Sequence, residues 1–214
     1  MPLERLSAFL QSLRLTGCSQ EAWRGSRILQ HSTMPYLTPD FFARDTLIVA
    51  RELIGTVLVA GHCRARVVET EAYTTDAASH SVTRRHKAAA MRESFGRVYV
   101  YFIYGMYYCL NFTTDVNGPG AVLIRAAEPI RGIQRMIERR GMSDERRLAS
   151  GPGRLCEAMG IDLSFNGARV GHQLKVKARE HEPRISTSKR IGISRATDLE
   201  WRFFETDSPF VSGR

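Results

Sequence analysis

From residue 38 onward, the pattern of apolar and polar positions alternates between a helical and an extended period. Thr38 and Pro39 precede an apolar stripe with helical spacing, which predicts one helix over residues 39–54. Two segments rich in β-branched residues follow, at 56–60 and 63–73, and their period of two predicts strands. The regular part of the chain therefore begins with a helix and two strands.

Residues 98–112 form a markedly aromatic stretch and read VYVYFIYGMYYCLNF. Alternation runs up to Tyr104, breaks at Gly105 and then resumes, which predicts two strands joined by a tight bend. A third strand is predicted over residues 121–128, where the sequence is AVLIRAAE. This part of the chain is expected to form a protruding β-hairpin beside a further strand.

Two later helices are each predicted to begin at a proline and to end before a glycine. One runs from Pro129 to Gly141 and the other from Pro152 to Gly160. Residues 81–97 are basic and aperiodic, which predicts a loop with a short helix in its alanine run, and the end of the chain indicates short strands and turns. The elements together predict an α+β fold: a single compact mixed domain with a largely antiparallel β-sheet, a protruding β-hairpin and surrounding helices.

We expect this domain to occupy residues 34–214. Residues 1–33 carry leucines at helical spacing followed by a polar stretch without a clear pattern, and we interpret them as an N-terminal extension. No apolar run approaches the roughly 18 residues of a membrane span, so we expect a cytoplasmic protein without a membrane partner. The four cysteines lie far apart without a CxxC pair, which predicts neither a zinc ribbon nor a disulfide framework.

The formal net charge of +9 adds a candidate partner to this picture. Clustered lysines and arginines gain affinity for nucleic acid by releasing counterions from its phosphates. The same charge also fits a generically basic protein. Charge alone therefore leaves both interpretations open.

The second predicted strand contains two carboxylates, in the motif RVVETEAY. With a period of two, Val67, Glu69, Glu71 and Tyr73 share one face, and the two carboxylates lie about 7 Å apart. A carboxylate that is partly buried can activate water as a general base. Two alternatives remain at this point: a solvated strand face, and a sugar hydrolase whose two carboxylates flank one bond.

Aromatic side chains near these carboxylates are suited to hold a flat ring. His80 follows the strand closely, and its imidazole and the Tyr73 phenol could form one wall of a slot. Strand alternation then divides the hairpin, because Tyr101 can face the slot while Tyr104 projects outward at the bend as a wedge. An aromatic core stripe is the competing interpretation, and no cluster of histidines and cysteines predicts a metal.

The sequence SGPGRLCEAMG, beginning at Ser150, has Gly-Pro-Gly ahead of a helix. The free N–H groups and the dipole of a helix start attract anions, and Arg154 lies in the first turn, so a phosphate site is predicted. A simple turn is the alternative, since the spacing of a nucleotide P-loop is absent. Slot, carboxylate, wedge and anion site together suit an enzyme that acts on a base extruded from duplex DNA.

The motifs VETEAY, ASH, YVYFIYGMYYCLN, AVLIRAAEP and SGPGRLCEAMGI resemble those of the alkyladenine (3-methyladenine) DNA glycosylase family in order and approximate spacing, from about Leu37 to Gly213. The resemblance implies a monofunctional enzyme of base excision repair, with residues 34–214 as its catalytic domain. It would flip 3-methyladenine, 7-methylguanine, hypoxanthine or ethenoadenine from double-stranded DNA and hydrolyse the N-glycosidic bond. No cofactor or metal is implied. We expect a monomer that is nucleoid-associated in a bacterium or nuclear in a eukaryote.

The resemblance also implies roles for individual residues. Glu71 would be the general base, with Arg125 and the main-chain carbonyl of Ile191 holding the attacking water. The base pocket would consist of Tyr73, Ala78, His80, Tyr101 and Asn111. Asn111 would exclude guanine by crowding its exocyclic amino group, and Tyr104 would intercalate with Met106 beside it. The expected DNA-backbone contacts are Arg84, Arg85, Lys87, Gly151, Arg154, Arg190 and Ser194.

One loop departs from the family pattern, since RRHKA follows ASH where RTPRN or RTKRN is usual. Two other functions are considered: a non-catalytic damaged-DNA-binding module of the same fold, and an RNA-modifying or sugar-directed hydrolase. Intact Glu71 and Arg125 argue against the first, and the family motifs argue against the second. Since one carboxylate suffices for this chemistry, Glu69 is expected to be structural.

Overall fold

The computed structural model describes residues 35–84, 91 and 94–213. The N-terminal extension predicted for residues 1–33 lies outside the described residues, as does much of the loop predicted for 81–97. No helix in the described ranges is long and apolar enough to cross a membrane.

The α-helices are α1 (Pro39–Phe42), α2 (Thr46–Glu52), α3 (His80–Thr83), α4 (Ile133–Arg140), α5 (Glu145–Leu148) and α6 (Pro152–Met159), and a 3-10 helix follows at Leu163–Phe165. The strands are β1 (Val57–Ala60), β2 (Cys63–Tyr73), β3 (Val98–Ile103), β4 (Tyr107–Thr114), β5 (Gly120–Arg131), β6 (Leu174–Lys177), β7 (Ile185–Ser188) and β8 (Arg202–Glu205). α3, α5 and the 3-10 helix have no counterpart in the sequence pattern, since residues 81–83 were predicted to lie in a loop.

All of these strands pair antiparallel, in the order β3-β4-β5-β2-β1-β6, and β8 joins β2 to β7. The prediction of an α+β fold with an antiparallel sheet and a β-hairpin is therefore confirmed. One edge of β2 pairs with β5, and the other pairs first with β1 and then with β8. The second half of β2, which carries the two carboxylates, is consequently enclosed by strands on both sides.

The main core lies on one face of this sheet, against α2, α4 and α6. Val49 and Ala50 of α2 and Leu155 of α6 are fully buried there, together with Phe112 and Ile124 of the sheet. Burying large apolar side chains contributes about 1.5–3 kcal/mol each, so this face stabilises the fold. The opposite face of the second half of β2 is left for polar side chains.

The helix predicted over residues 39–54 is divided into two, so the prediction of one continuous helix is wrong. The Asp45 carboxylate accepts hydrogen bonds from the N–H groups of Leu47 and Ile48 at 2.9 and 3.1 Å. These bonds make Asp45 the N-cap of α2. The chain therefore leaves the helical conformation before Asp45 and starts a new helix after it.

The helix predicted to begin at Pro129 starts later, and this prediction is also wrong. Pro129 lies in β5, next to a register shift where a residue without an N–H group can be accommodated. α4 begins after Gly132, which has a φ of 77°. A Cβ at Gly132 would lie 3.0 Å from the carbonyl oxygen of His62. The glycine thus permits the close turn that separates strand from helix, whereas the predicted helix start at Pro152 is confirmed.

Candidate active site

Two bulges in the β2–β5 ladder determine which side chains face the site. The register of these two fully described strands passes over Val68 on β2 and Arg125 on β5, so neither has a direct partner. Bulges of this kind re-aim side chains next to active sites. Glu69 and Glu71 both contact Arg125 on one face, whereas Val67 belongs to the main core. The prediction that Val67 shares the face of the carboxylates is wrong, because the bulge shifts the alternation.

The Glu71 carboxylate is fully buried and has a donor group at each oxygen. The Tyr73 hydroxyl donates to Oε2 at 2.8 Å, and the Ile191 N–H donates to Oε1 at 2.7 Å. Arg125 Nη1 lies 3.3 Å from the same Oε1, and it also donates to the Ile191 carbonyl at 3.5 Å. The structure thus brings together the three residues expected to be catalytic, although it directs the N–H of Ile191, rather than its carbonyl, at Glu71.

The protonation states around Glu71 follow from burial and from the two carboxylates. Burial opposes the charge of Arg125, but Glu71 and Glu69 outweigh this effect and raise the pKa of Arg125. Burial also raises the pKa of Tyr73 far above its ordinary value, and the charge and hydrogen bond of Glu71 add to the increase. Arg125 therefore remains a cation, and Tyr73 remains a neutral donor to Glu71.

Glu69 lies behind Arg125 and is fully buried. Its Oε1 accepts hydrogen bonds from Arg125 Nε at 3.1 Å and from Arg202 Nε at 2.6 Å. Its Oε2 accepts from the N–H of Ser212 at 2.7 Å, and the Ser212 hydroxyl accepts from Arg125 Nη2 at 3.3 Å. Glu69 therefore holds Arg125 in place and ties the C-terminal segment to the site. Sequence reasoning missed Arg202 and Ser212, since no local motif marks partners so far away along the chain.

A cleft of about 1060 Å³ is lined in part by Tyr73, Arg125 and Ile191, the three residues that contact the Glu71 carboxylate. Glu71 itself has no exposed surface. The predicted site residues that line the cleft are Tyr73, Ala78, His80, Arg84, Tyr101, Tyr104, Asn111, Arg125, Gly151, Arg154, Ile191 and Ser194.

The aromatic slot is closed in this structure. The ring centroids of His80 and Tyr101 are 4.5 Å apart, at an interplanar angle of 65°. A flat ring between two others needs about 7 Å, since each stacked contact takes about 3.5 Å. His80 Nδ1 also lies 3.1 Å from the Tyr99 hydroxyl. The gap between His80 and Tyr101 is therefore too narrow for a flat ring, and a bound base would have to separate these two rings.

The inner wall of the cleft carries polar groups that already have hydrogen-bond partners within the protein. Asn111 is 4% exposed, and its Nδ2 donates to the carbonyl of Tyr99 at 3.1 Å. The Ala78 N–H already donates to Asp76 at 3.0 Å, so Ala78 would have to meet a ligand through its carbonyl. Burial raises the pKa of Tyr99 to about 12, which keeps that phenol neutral.

The hairpin tip projects as expected. Tyr104 is 76% exposed and Met106 is 63% exposed. Tyr104 and Gly105 have φ values of 55° and 69°, and the Met106 N–H donates to the carbonyl of Ile103 at 3.3 Å to close the turn. A positive φ costs a tyrosine on the order of 1–3 kcal/mol. This bend therefore holds a large apolar ring in solvent at a cost in stability.

The expected DNA-backbone residues separate into an exposed group and a buried exception. Arg84, Arg154 and Ser194 are exposed at the cleft, and Gly151 is the N-cap of α6 with a φ of 142°. Arg85 and Lys87 lie outside the described residues. Clusters of three or more potential metal ligands are absent from the part of the chain that the structure describes.

Arg190 is the exception, because its side chain has no exposed surface. Its Nη2 pairs with Asp76 Oδ1 at 2.7 Å, and its Nη1 donates to the carbonyl of Ala72 at 2.8 Å. A guanidinium already committed in this way cannot contact a phosphate without unfolding its surroundings. The expected backbone contact by Arg190 is therefore corrected to an internal one.

The sequence of this chain is similar to those of a family of DNA glycosylases. The family model for methylpurine-DNA glycosylase matches residues 40–209. Similar proteins, each provisionally named a 3-methyladenine DNA glycosylase, include one from Chlorobium phaeobacteroides, 43% identical over 85% of this chain and 97% of its own length. A second is from Methanocella arvoryzae, 44% identical over 85% of this chain and 98% of its own length. A third is from Nitrosospira multiformis, 44% identical over 80% of this chain and 91% of its own length. The chain therefore belongs to the methylpurine-DNA glycosylase family, enzymes that act on DNA and hydrolyse the N-glycosidic bond.

Proposed function

We propose that this protein flips alkylated or deaminated purines out of duplex DNA and releases them with a water molecule activated by Glu71. The observation that carries the proposal is the convergence of Glu71, Arg125 and Ile191 beneath a cleft with aromatic walls. The substrates would be 3-methyladenine, 7-methylguanine, hypoxanthine and ethenoadenine. The protein would act as a monomer, which sedimentation with and without duplex DNA would test.

In the proposed reaction, Glu71 accepts a proton from water while the water oxygen attacks C1′ of the sugar. The bond from C1′ to the purine nitrogen breaks, and its electron pair leaves with the base. The cationic 3-methyladenine and 7-methylguanine leave as neutral molecules, whereas hypoxanthine and ethenoadenine leave as anions that take up a proton from solvent. The sugar develops positive charge in the transition state, which the same carboxylate stabilises. The products are a free base and an abasic sugar. Arg125, held 3.3 Å from Glu71 by its ion pairs, would orient the water together with the Ile191 carbonyl.

Burial of Glu71 requires a local opening before water can react. The Ile191 N–H occupies Oε1 and the Tyr73 hydroxyl occupies Oε2, and neither oxygen reaches solvent. Apo hydrogen bonds at catalytic groups often rearrange in the substrate complex. Base entry would separate His80 from Tyr101 and, in the same movement, give water access to the carboxylate.

Recognition of the base would rest on the residues around that opening. Tyr73 and His80 would stack on one face of the purine and Tyr101 on the other, because any nucleic-acid base can stack on an aromatic side chain. Asn111, fixed by the Tyr99 carbonyl, would leave no room for the exocyclic amino group of guanine. The main chain of Ala78 and His80 would add hydrogen bonds.

The DNA itself would be held at the hairpin and at the cleft rim. Tyr104 would fill the gap left by the flipped base, and Met106 would lie beside it. The exposed Arg84 and Arg154 would contact phosphates. The remaining proposed backbone contacts are Arg85, Lys87, Gly151 and Ser194.

A base-release assay on duplexes that each contain one lesion tests the function directly. We expect the wild type to release at least one of the four purines and Glu71→Gln to release none, with DNA affinity near that of the wild type. The matched control is Glu128→Gln, since Glu128 pairs with Arg66 away from the cleft. Turnover by Glu71→Gln would refute the assigned base. Tight binding of damaged DNA without release by the wild type would favour a non-catalytic damage-binding protein.

A further inference from the structure

We propose that Arg190 and Asp76 are positioning residues, which hold the Ile191 main chain against Glu71 and fix the loop that carries the base-pocket wall. Their importance for catalysis rests on the function proposed above for Glu71. Asp76 lies in the loop between β2 and α3, and Arg190 lies in the loop between β7 and β8. The structural coupling between these two loops can be tested without measuring turnover.

Arg190 is held by five groups, three of them within residues 72–76 and two within residues 196–201, where the Ala196 carbonyl accepts from Nη2 at 3.4 Å. Its guanidinium lies 4.6 Å from the ring centroid of Tyr73 and 5.2 Å from that of Trp201. Nη2 pairs with Asp76 at 2.7 Å, and Nη1 donates to the Ala72 carbonyl at 2.8 Å. Nε has no hydrogen-bond partner among the described residues. A buried cation is stable only when it is paired, so stacking and pairing, rather than solvent, determine where Arg190 lies.

Asp76 shapes the loop that leads from β2 to α3. Its Oδ1 also accepts from the Ala78 N–H at 3.0 Å, and its Oδ2 accepts from the Thr74 N–H at 3.2 Å. Burial opposes ionisation of Asp76, but the hydrogen bonds from Arg190 and Ala78 outweigh it and lower the pKa of the carboxyl. The ionised carboxylate therefore fixes both the loop and Arg190.

Two donors to Glu71 are attached to this ion pair. Ile191 follows Arg190 directly in the chain and donates to Oε1 at 2.7 Å. Tyr73 stacks on the Arg190 guanidinium and donates to Oε2 at 2.8 Å. A displacement of Arg190 would thus move a neighbour of each carboxylate oxygen. This arrangement distinguishes Arg190 from an arginine that only stabilises the fold.

Kinetics separate this role from a DNA contact. Asp76→Asn and Arg190→Gln each remove one charge of the pair, and Asp207→Asn and Arg184→Gln make the same changes in an exposed pair with side chains 77% and 81% exposed. We expect single-turnover release at saturating enzyme to slow by about 10²-fold in the first two variants, the cost of misplacing a reacting group by about an ångström. The salt dependence of DNA binding should not change, because neither variant removes a phosphate contact.

A phosphate contact by Arg190 would give the opposite result. Affinity would fall and the salt slope would decrease by about one, while the rate at saturation stayed normal. That outcome overturns the proposal. The control variants are expected to match the wild type in rate, affinity and salt dependence.

Hydrogen exchange followed by mass spectrometry tests the coupling on the free protein. Asp76→Asn should accelerate amide exchange in residues 190–196, although Asp76 lies in another loop, and Asp207→Asn should not. Unchanged exchange in residues 190–196 of folded Asp76→Asn overturns the proposal whatever the activity. If the single variant does not fold, the same experiment is carried out on the double variant Asp76→Asn/Arg190→Gln, which removes both charges. Faster amide exchange in residues 190–196 is again expected. A wild type that releases no purine would refute the proposed function, while accelerated exchange would still support the coupling.

Discussion

Replacement of Glu69 by glutamine removes a buried charge while keeping the size of the side chain. Glu69 is fully buried and accepts from Arg125 at 3.1 Å, from Arg202 at 2.6 Å and from the N–H of Ser212 at 2.7 Å. Glutamine retains one acceptor oxygen, but its amide nitrogen must face either a guanidinium or an N–H group. The variant therefore loses at least one hydrogen bond. It also loses one of the two negative charges, those of Glu69 and Glu71, that balance the positive charges of Arg125 and Arg202.

The expected loss of stability follows from what the arginines retain. Removing one partner of a buried ion pair costs about 3–5 kcal/mol. Arg125 keeps Glu71 at 3.3 Å, and Arg202 keeps the Ser188 hydroxyl at 2.9 Å, which places the effect at the lower end. A loss of about 3 kcal/mol corresponds to a decrease in Tm of about 6–12 °C for a domain of this size. Since domains are stable by about 5–15 kcal/mol, the variant should still fold at room temperature.

Urea denaturation followed by tryptophan fluorescence measures this loss. The matched control is Glu128→Gln, because Glu128 accepts from Arg66 at 2.7 Å but its side chain is 31% exposed. A partly exposed ion pair contributes about 0–1 kcal/mol. Equal free-energy losses in the two variants would refute the reasoning from burial.

Three other changes have expected outcomes. Gly153→Ala should lower the free energy of unfolding by about 1–3 kcal/mol, since its Cβ would lie 2.9 Å from the Tyr107 ring. Gly118→Ala, where a Cβ would meet open space, should change the free energy of unfolding little, and equal losses in the two variants would count against the predicted clash. Tyr104→Ser should weaken binding to a duplex with a flipped base by about 1–3 kcal/mol in a titration, and an unchanged affinity would mean that the wedge lies elsewhere. Because the pKa of Asp76 is lowered, its charge stabilises the fold above the unfolded pKa and loses this effect as pH falls through the folded pKa. The difference in unfolding free energy between wild type and Asp76→Asn should therefore shrink in acid, and a constant difference would contradict this.

The sequence predicted the site best where strand alternation is uninterrupted. In β3, Tyr99 and Tyr101 lie apart from the core residues Val98 and Val100, as the period of two requires. In β2 the same reasoning fails at Val67, because nothing in the local sequence marks the bulge at Val68. A bulge depends on how two strands align, so it is a property of the pair rather than of either sequence.

Burial of arginines was equally hidden from the sequence. Arg190 lies in a basic segment, KRIGISR, and the family resemblance implied a contact with the DNA backbone for it. Its actual partner, Asp76, is 114 positions away along the chain. Only the folded sheet brings the loop after β2 next to the loop before β8. A count of charges cannot distinguish an arginine that binds a phosphate from one that binds a buried carboxylate.

The buried ion pairs show which part of the chain carries the net charge. In the two buried clusters, three arginines and three carboxylates cancel, so the formal charge of +9 belongs entirely to the rest of the chain. The members are Arg125, Arg190, Arg202, Glu69, Glu71 and Asp76. Electrostatic attraction to DNA, which releases counterions and weakens with salt, is therefore expected to come from groups outside the clusters, such as Arg84 and Arg154 at the cleft rim. Under the proposed function, we therefore expect the buried clusters to affect the reaction and the stability of the fold, and the rim and surface charges to affect DNA affinity.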